Sequence, residues 1–436
     1  MSKQGPQSPV KLNWAGRQVF RPAHQAYAPE EVGRPKYSYV PPQSGQADGA
    51  WRSAGHFLDF VVPRTVGALK SLMLRFSIAN SGSEFSGAPN TCFWVQTIEE
   101  TVGTTTIETL YPNDIYNETV GFLSTDELVT EGGLIGVPTP YPPQNSLFSI
   151  NMYSSHSPIK EGRSTWYLPL RCALVSARFF VRGVLDDVKI RVYFPPTLFP
   201  SHISLQDCTL IVEETVLSLG EYQQQVEAHR TGMIYQTVVR QRQNQTVSRT
   251  EGAPNEINLT GIIGNSAGLI IYSGPPVQPG YTEHYTNTSN TDPVTSTITV
   301  THTLDTPSGN SQLTTRYEIP TLTLTDSQGN KRTEELRGQW LKTFTWANQV
   351  GTSFANADKG STYLIPFCAN FKHTVCSGNP SGELYTDGTD RLVLGNANSS
   401  QTWSATVTNY AYQALVVADN KFQTVLKKFD SPYQIA

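Results

Sequence analysis

The sequence predicts an all-β chain folded as two tandem antiparallel β-sandwiches joined by a short helix. Three observations carry this reading: short alternating apolar and polar runs bounded by Gly and Pro, one capped helical segment near mid-chain, and a seven-residue motif written twice. The motif is STWYLPL at Ser164 to Leu170 and STYLIPF at Ser361 to Phe367, 197 positions apart. That separation is about one domain, and 436 residues suit two or three domains of about 100–200 residues each.

Charged residues are only 16% of the chain, against about 25% in an ordinary soluble protein. The surface is therefore neutral and polar, or much of it is hidden against other subunits. A formal net charge of -4 argues against a chain whose main task is to neutralise nucleic-acid phosphates. The opening MSKQGPQSPV lacks the apolar core of a secretory signal, and no run approaches the roughly 18 apolar residues of a membrane span. Cys92, Cys172, Cys208, Cys368 and Cys376 are odd in number and scattered, which reads as reduced thiols in a chain folded in a cytosol. Sequons at Asn117, Asn258 and Asn398 follow from richness in Asn and Thr and carry no weight without a secretory route.

Residues 1–50 are rich in Pro, Gln, Gly and Ala and read as an N-terminal arm. The arm interleaves Lys3, Lys11, Arg17, Arg21, Arg34 and Lys36 with Trp14, Phe20, Tyr27, Tyr37 and Tyr39. Such a segment suits nucleic acid or a lipid surface, but its charge excess is small, and packing on its own or a neighbouring subunit is the reading adopted. The first sandwich is placed at 51–219. Leu72, Leu74, Phe76 and Ile78 alternate with smaller or polar residues, the period of a half-buried strand. A helix is expected from Pro112 to about Leu128, with Ile115, Tyr116, Thr119, Phe122 and Leu123 near helical spacing.

After Leu217 the period changes. Ser218 and Glu221 have capping-box spacing, and Leu219, Tyr222 and Val226 fall on one helical face, so 220–231 is a linker helix. The second sandwich is placed at 232–430, followed by a tail at 431–436. It contains an unusual stretch, with fifteen threonines between 281 and 325. Period-two Thr means strands with one wet face, and about 274–332 is read as a projecting tower. A further helix is expected over Thr333 to Trp346, with Leu336, Trp340, Leu341 and Phe344 aligned. Eight or so short strands per half suit a sandwich, of which the jelly roll is one closed-ended form.

At this point the residues resemble a known family, the double-jelly-roll major capsid proteins of tailless icosahedral double-stranded DNA viruses. The resemblance rests on HFLDFVVPRTVGALKSLMLRFSI as a first strand pair and on CTLIVEETVLSLGEYQQQVEAHRTGMIYQTVV as closing strand, linker helix and opening strand. It continues in NPSGELYTDGTDRLVL and NYAYQALVVADNKFQTVL, and these blocks fall in family order across nearly the whole chain. The family's turn ends in Asn-Phe-Ser where this chain has Leu-Tyr-Thr at 384–386, so a polinton-like or smaller virus is preferred over the large-virus branch. The resemblance implies two upright rolls per subunit and homotrimers that form pseudo-hexagonal capsomers of an icosahedral shell around a dsDNA genome. It also implies contacts with neighbouring capsomers, penton and minor capsid proteins, and an arm reaching an internal membrane or the genome. The place implied is the virion, assembled in the host cytoplasm or nucleus.

No enzymatic constellation is present: there is no GxSxG, no Gly-rich phosphate loop followed by Lys, and no HExxH. No residue is assigned to catalysis, to a cofactor or to a metal. Cys368, His373 and Cys376 are the nearest approach to a metal set, but they lack a fourth ligand and read as unrelated loop residues. Asp114 and Glu118, at i and i+4, imitate a catalytic pair and read as a solvated helix face. His156, His202 and His229 read as surface or partly buried imidazoles. The rival from another class is a β-sandwich lectin, adhesin or viral fibre binding glycans. An enzyme on the same scaffold would need paired carboxylates on one face.

Overall fold

A computed structural model describes residues 10–11, 18–20, 36–43, 57–82, 91–119, 122, 159–195, 202–249, 255–274, 319–342, 344–350, 361–395 and 401–426. After β1 (Val10–Lys11) and β2 (Gln18–Phe20), eight strands build the first half. They are β3 (Lys36–Val40), β4 (Phe57–Val61), β5 (Ala68–Asn80), β6 (Thr97–Val102), β7 (Thr105–Leu110), β8 (Gly162–Leu170), β9 (Val188–Tyr193) and β10 (Ile203–Thr215). Helix α1 (Pro112–Thr119) lies between β7 and β8, and α2 (Ala173–Ser176) follows β8. The linker helix α3 is Leu219–Thr231.

The second half holds β11 (Met233–Arg249), β12 (Asn255–Asn258), β13 (Ile263–Gly274), β14 (Thr321–Thr325), β15 (Leu336–Arg337) and β16 (Ser361–Pro366). It ends with β17 (Leu384–Asp387), β18 (Arg391–Leu394), β19 (Gln401–Ala418) and β20 (Lys421–Leu426). Helices α4 (Gly338–Lys342) and α5 (Phe344–Val350) lie between β15 and β16, and α6 (Phe371–Ser377) follows β16. Among the described residues no helix is long and apolar enough to cross a membrane.

The first half forms two four-stranded sheets, ordered β3-β10-β5-β8 and β4-β9-β6-β7. The second repeats both orders as β11-β19-β13-β16 and β12-β18-β14-β15, the first of these sheets being extended to eight strands by β1 and β2 alongside β11 and by β17 and β20. Strand for strand, the unit is written twice, and the chain passes between facing sheets as in a jelly roll. Period-two patterning explains how each sheet closes over a core: Leu72, Leu74, Phe76 and Ile78 are buried while Ser71, Met73, Arg75 and Ser77 between them stay partly exposed. Trp94 fills the first core against Phe76 and Trp166, with ring centroids 5.4 and 5.6 Å away. Ile257, Leu269, Ile271, Leu322, Leu392 and Val407 belong to a separate second core.

The seven-residue repeat has a structural meaning. STWYLPL lies on β8 and the first six residues of STYLIPF on β16, the edge strands of equivalent sheets. Trp166 and Leu168 enter the first core, and Tyr363 and Ile365 enter the second. Pro169 faces Met73 on β5, and Pro366 faces Gly268 on β13. Proline has no N–H for a ladder on both sides, so an edge strand is where both copies can keep it.

Ser218 caps α3 as its spacing predicts: the Glu221 amide donates to Ser218 Oγ and the Ser218 amide donates to Glu221 Oε2 at 2.9 Å. Tyr222 and Val226 pack on the core, whereas Leu219 is 74% exposed because it is the first helical residue and points off the packed face. Ser218→Ala is expected to cost about 1 kcal/mol of stability, read as a lowered midpoint in urea; no change would refute a role for the cap.

Four expectations are corrected. Lys36–Val40, read as arm, is a strand paired along β10. Helix α1 is described over Pro112–Thr119, and Phe122 lies buried in a turn and not in a helix continuing to Leu128; 120–121 and 123–128 lie outside the described residues. Thr333 to Trp346 is not one helix: Leu336 pairs with Leu322, and the chain turns at Gly338, where a Cβ would sit 1.7 Å from the Ile319 carbonyl oxygen. Trp340 and Phe344 are consequently exposed. Thr321–Thr325, read as part of the tower, is β14 inside the second roll, with Thr323 and Thr325 buried. Residues 275–318 of the tower lie outside the described residues.

Candidate functional site: the contact between the rolls

One face of the second roll, on β11, β19 and β13, is covered by the first. Even-numbered positions of β11 and β19 carry Arg240, Arg242, Thr408 and Tyr410 side by side, since Arg240 pairs with Tyr410 and Arg242 with Thr408. The first roll answers with α1, the end of β7 and the N-terminus of α2.

Arg240 is the centre, with its side chain 1% exposed. Its Nη1 donates to Glu108 Oε1 and Oε2 on β7 at 3.0 and 3.1 Å. Its Nε donates to Glu118 Oε1 on α1 at 2.7 Å, and its Nη2 donates to Glu118 Oε2 and to the Arg171 carbonyl. The guanidinium also lies 5.7 Å from the Tyr410 ring centroid. Burial works against the charged guanidinium, but Glu108 and Glu118 outweigh it and hold Arg240 protonated. Burial pushes the Glu118 carboxyl upward, against the pull of Arg240. A planar fork matched to two carboxylates fixes direction as well as distance, which a lysine could not do.

Asp114, one turn before Glu118, accepts from Thr408 Oγ1 at 2.7 Å and stands 4.0 Å from Arg242. The Arg242 guanidinium lies 4.3 Å from the Tyr111 ring. Beneath them, the amides that open α2 meet two carboxyls: Ala173 N–H donates to Glu108 at 2.5 Å and Leu174 N–H to Glu100 at 3.1 Å. Burial pushes Glu100 up to about 8, helped by neighbouring Glu108. Phe371 of α6 completes the cover, its ring centroid 5.0 Å from that of Tyr410 and 6.2 Å from that of Phe122. Gly268 under it has no side chain because a Cβ would approach the Phe371 ring to 2.9 Å.

A second joint lies under the linker helix. His229 is fully buried; its Nε2 is 2.9 Å from Tyr235 Oη and its Nδ1 is 2.7 Å from the Gln225 carbonyl oxygen. Burial lowers its pKa to about 4, so it is neutral at pH 7 and each ring nitrogen serves one hydrogen bond. Phe180 of the first roll packs on the same ring at 5.4 Å. Ser176 and Thr237 tie α2 to β11 through hydroxyls 2.7 Å apart.

The reading of Asp114 and Glu118 as a solvated face is therefore corrected: both are 1–2% exposed because the second roll covers α1. His229 is likewise not a surface imidazole. His202 is partly exposed, and His156 lies outside the described residues. Cys368 lies in the bend two residues past the end of β16, while His373 and Cys376 ride on α6, where Asn370 caps the helix through the His373 amide and Arg171 reaches Cys376 Sγ at 3.4 Å. Among the described residues, no group of three His, Cys, Asp or Glu is placed to hold a metal. Sequence reading missed Glu100, Glu108 and Arg240. Their signal was a charge in the apolar register: Glu100 falls between Ile98 and Val102 on the inward period, and Arg240 follows Val238 by two.

No protein-family model matches this chain, and no curated protein matches it in sequence. Solved structures do match in shape. The PBCV-1 virus capsid protein superposes with a TM-score of 0.62 at 10% identity, over 89% of this chain and 96% of the other. The chain has the double-jelly-roll fold. PBCV-1 VP54, as fitted into a reconstruction of the virophage Sputnik, gives 0.61 at 11% identity over 89% and 96% of the two chains. The Faustovirus major capsid protein gives 0.58 at 9% identity over 88% and 90%. The coverage matters because both rolls and their junction are shared, so this double jelly roll matches as a pair and not as one sandwich. The Arg240 cluster thus sits at the joint between its two repeating units.

Proposed function

We propose that this chain is a viral major capsid protein whose homotrimers are pseudo-hexagonal capsomers of an icosahedral shell. The observation that carries the reading is the strand-for-strand duplication within one chain, with the copies locked by a buried ionic joint. Three such chains around a threefold axis offer six similar edges, so one gene product tiles a hexagonal lattice. The low charge content fits lateral faces that are buried on assembly. The joint acts by geometry: it sets the angle between the rolls, and that angle decides whether a ring of six closes. The chain works structurally, without catalysis, in a virion enclosing dsDNA. Its partners are neighbouring capsomers, penton and minor capsid proteins, and a membrane or genome reached by the N-terminal arm.

Purified protein is expected to sediment near three times 48.1 kDa and to image as a hexagonal particle by electron microscopy. A stable monomer that binds glycans on an array would overturn this reading in favour of a lectin or adhesin.

A further inference from the structure

The contact between the rolls has a giving side and a receiving side, and each roll possesses both. In the second roll, the receiving row across β11, β19, β13 and β16 is Arg240, Tyr410, Gly268 and Pro366. It is covered by Glu108 and Glu118 of the first roll on Arg240 and by the second roll's own Phe371 on Tyr410. The same strand substitution, with Pro169 in the place of Pro366, gives the first roll's row as Tyr39, Ile211, Met73 and Pro169. Here Tyr39 is 65% exposed, and Ile211, Met73 and Pro169 are partly exposed. An apolar row facing outward stands where the second roll's row is covered.

The giving side shows the same asymmetry. Helix α1, which follows β7, puts Asp114 and Glu118 into the second roll. Its counterpart after β15 is α4 and α5. Leu341 is buried in the second core, and Trp346 is buried with its indole N–H donating to the Thr362 carbonyl, so the base of this segment is fixed. Its outward face carries Trp340 and Phe344, 54% and 47% exposed, with ring centroids 4.1 Å apart. Within the chain, the charged giver meets a charged receiver. The two unused surfaces are both apolar and aromatic, and therefore match each other. They lie on opposite rolls, so they cannot reproduce the internal contact within one chain, whereas a second copy can supply it head to tail.

We propose that the Trp340–Phe344 stack of one subunit docks on the Tyr39, Ile211 and Met73 row of a second copy of this chain. The contact rests on the capsomer reading and names the surfaces that close it. It is heterologous, and it becomes a closed ring when three chains, six rolls, complete the turn. Aromatic anchors of this kind carry a large part of an interface's affinity.

The test combines two variants and one probe in the full chain. Trp340→Glu with Phe344→Glu, and separately Ile211→Glu, change exposed or partly exposed positions. Each is expected to weaken the trimer on the order of 30-fold or more, read as dissociation toward 48.1 kDa by analytical ultracentrifugation, with an unchanged circular dichroism spectrum. In parallel, a photo-crosslinking p-benzoylphenylalanine at position 340 is expected to label a neighbouring chain within 36–40, 68–80 or 203–215. Crosslinks mapping elsewhere, or trimers unmoved by both variants, overturn the docking while the capsomer reading stands. A wild-type protein that stays monomeric overturns the capsomer reading itself, and the docking with it. The crosslink remains decisive if either variant fails to fold.

Discussion

Arg240→Met is expected to lower the unfolding free energy by about 3–5 kcal/mol, the cost of leaving two buried carboxylates without their cation. The reason lies in where the carboxylates sit. Glu108 and Glu118 have side chains 0% and 3% exposed, and neither can turn to water without separating the rolls. The guanidinium also supplies five donors, and a methionine of similar length fills space but satisfies none of the oxygens. Removing the charges together should behave differently. Arg240→Met combined with Glu108→Gln and Glu118→Met keeps an acceptor for the Ala173 amide and is expected to recover most of the loss. Chemical denaturation of the three proteins, wild type, single variant and triple variant, measures this. A single-variant loss below about 1 kcal/mol would sink the claim that this cluster holds the rolls, because ordinary surface changes already reach half that size.

Stability is also expected to respond to pH from two buried groups with opposite signs. His229 has its pKa lowered from 6.5 to about 4 by burial, so the unfolded chain takes a proton before the folded one does. Its contribution is complete above about 6.5 and is lost as the pH falls through about 4. The loss is roughly 3 kcal/mol at about 1.4 kcal/mol per unit. Glu100 has the opposite shift, from 4.5 up to about 8, because the folded chain holds its proton in a dry site beside Glu108. Its contribution is complete below about 4.5 and is lost as the pH rises through about 8. The difference between wild type and variant isolates each group from the remaining carboxylates. His229→Gln should gain on wild type between pH 6.5 and 4, and Glu100→Gln should gain between pH 4.5 and 8. Parallel stability curves across either window would contradict the assignment of that group.

These two joints mark how far sequence reading reaches. Period-two runs such as Leu72 to Ile78 signal strands because alternation is a local property of a pleated chain, legible without knowing its neighbours. The capping box at Ser218 and Glu221 is legible for the same reason, since its partners are three residues apart. The repeated motif was visible too, but its place on the edge strands β8 and β16 came only from the sheet order. The joint was not legible in the same way. Glu108 and Arg240 are 132 positions apart, and Asp114 and Thr408 are 294 apart. From sequence, Asp114 and Glu118 look like any acidic pair on a helix.

The sequence by itself determined the all-β class, the duplicated strand series, the linker helix and the resemblance to double-jelly-roll capsid proteins, because each rests on short-range periodicity or on residue order. Only the tertiary structure decided which faces are dry. Burial belongs to the second roll packing on the first, and it turned a carboxylate pair read as solvated and a histidine read as ordinary into a buried ionic joint and a neutral, hydrogen-bonded imidazole. The same packing left Trp340, Phe344 and Tyr39 uncovered, since a chain of two rolls can satisfy only one such contact internally.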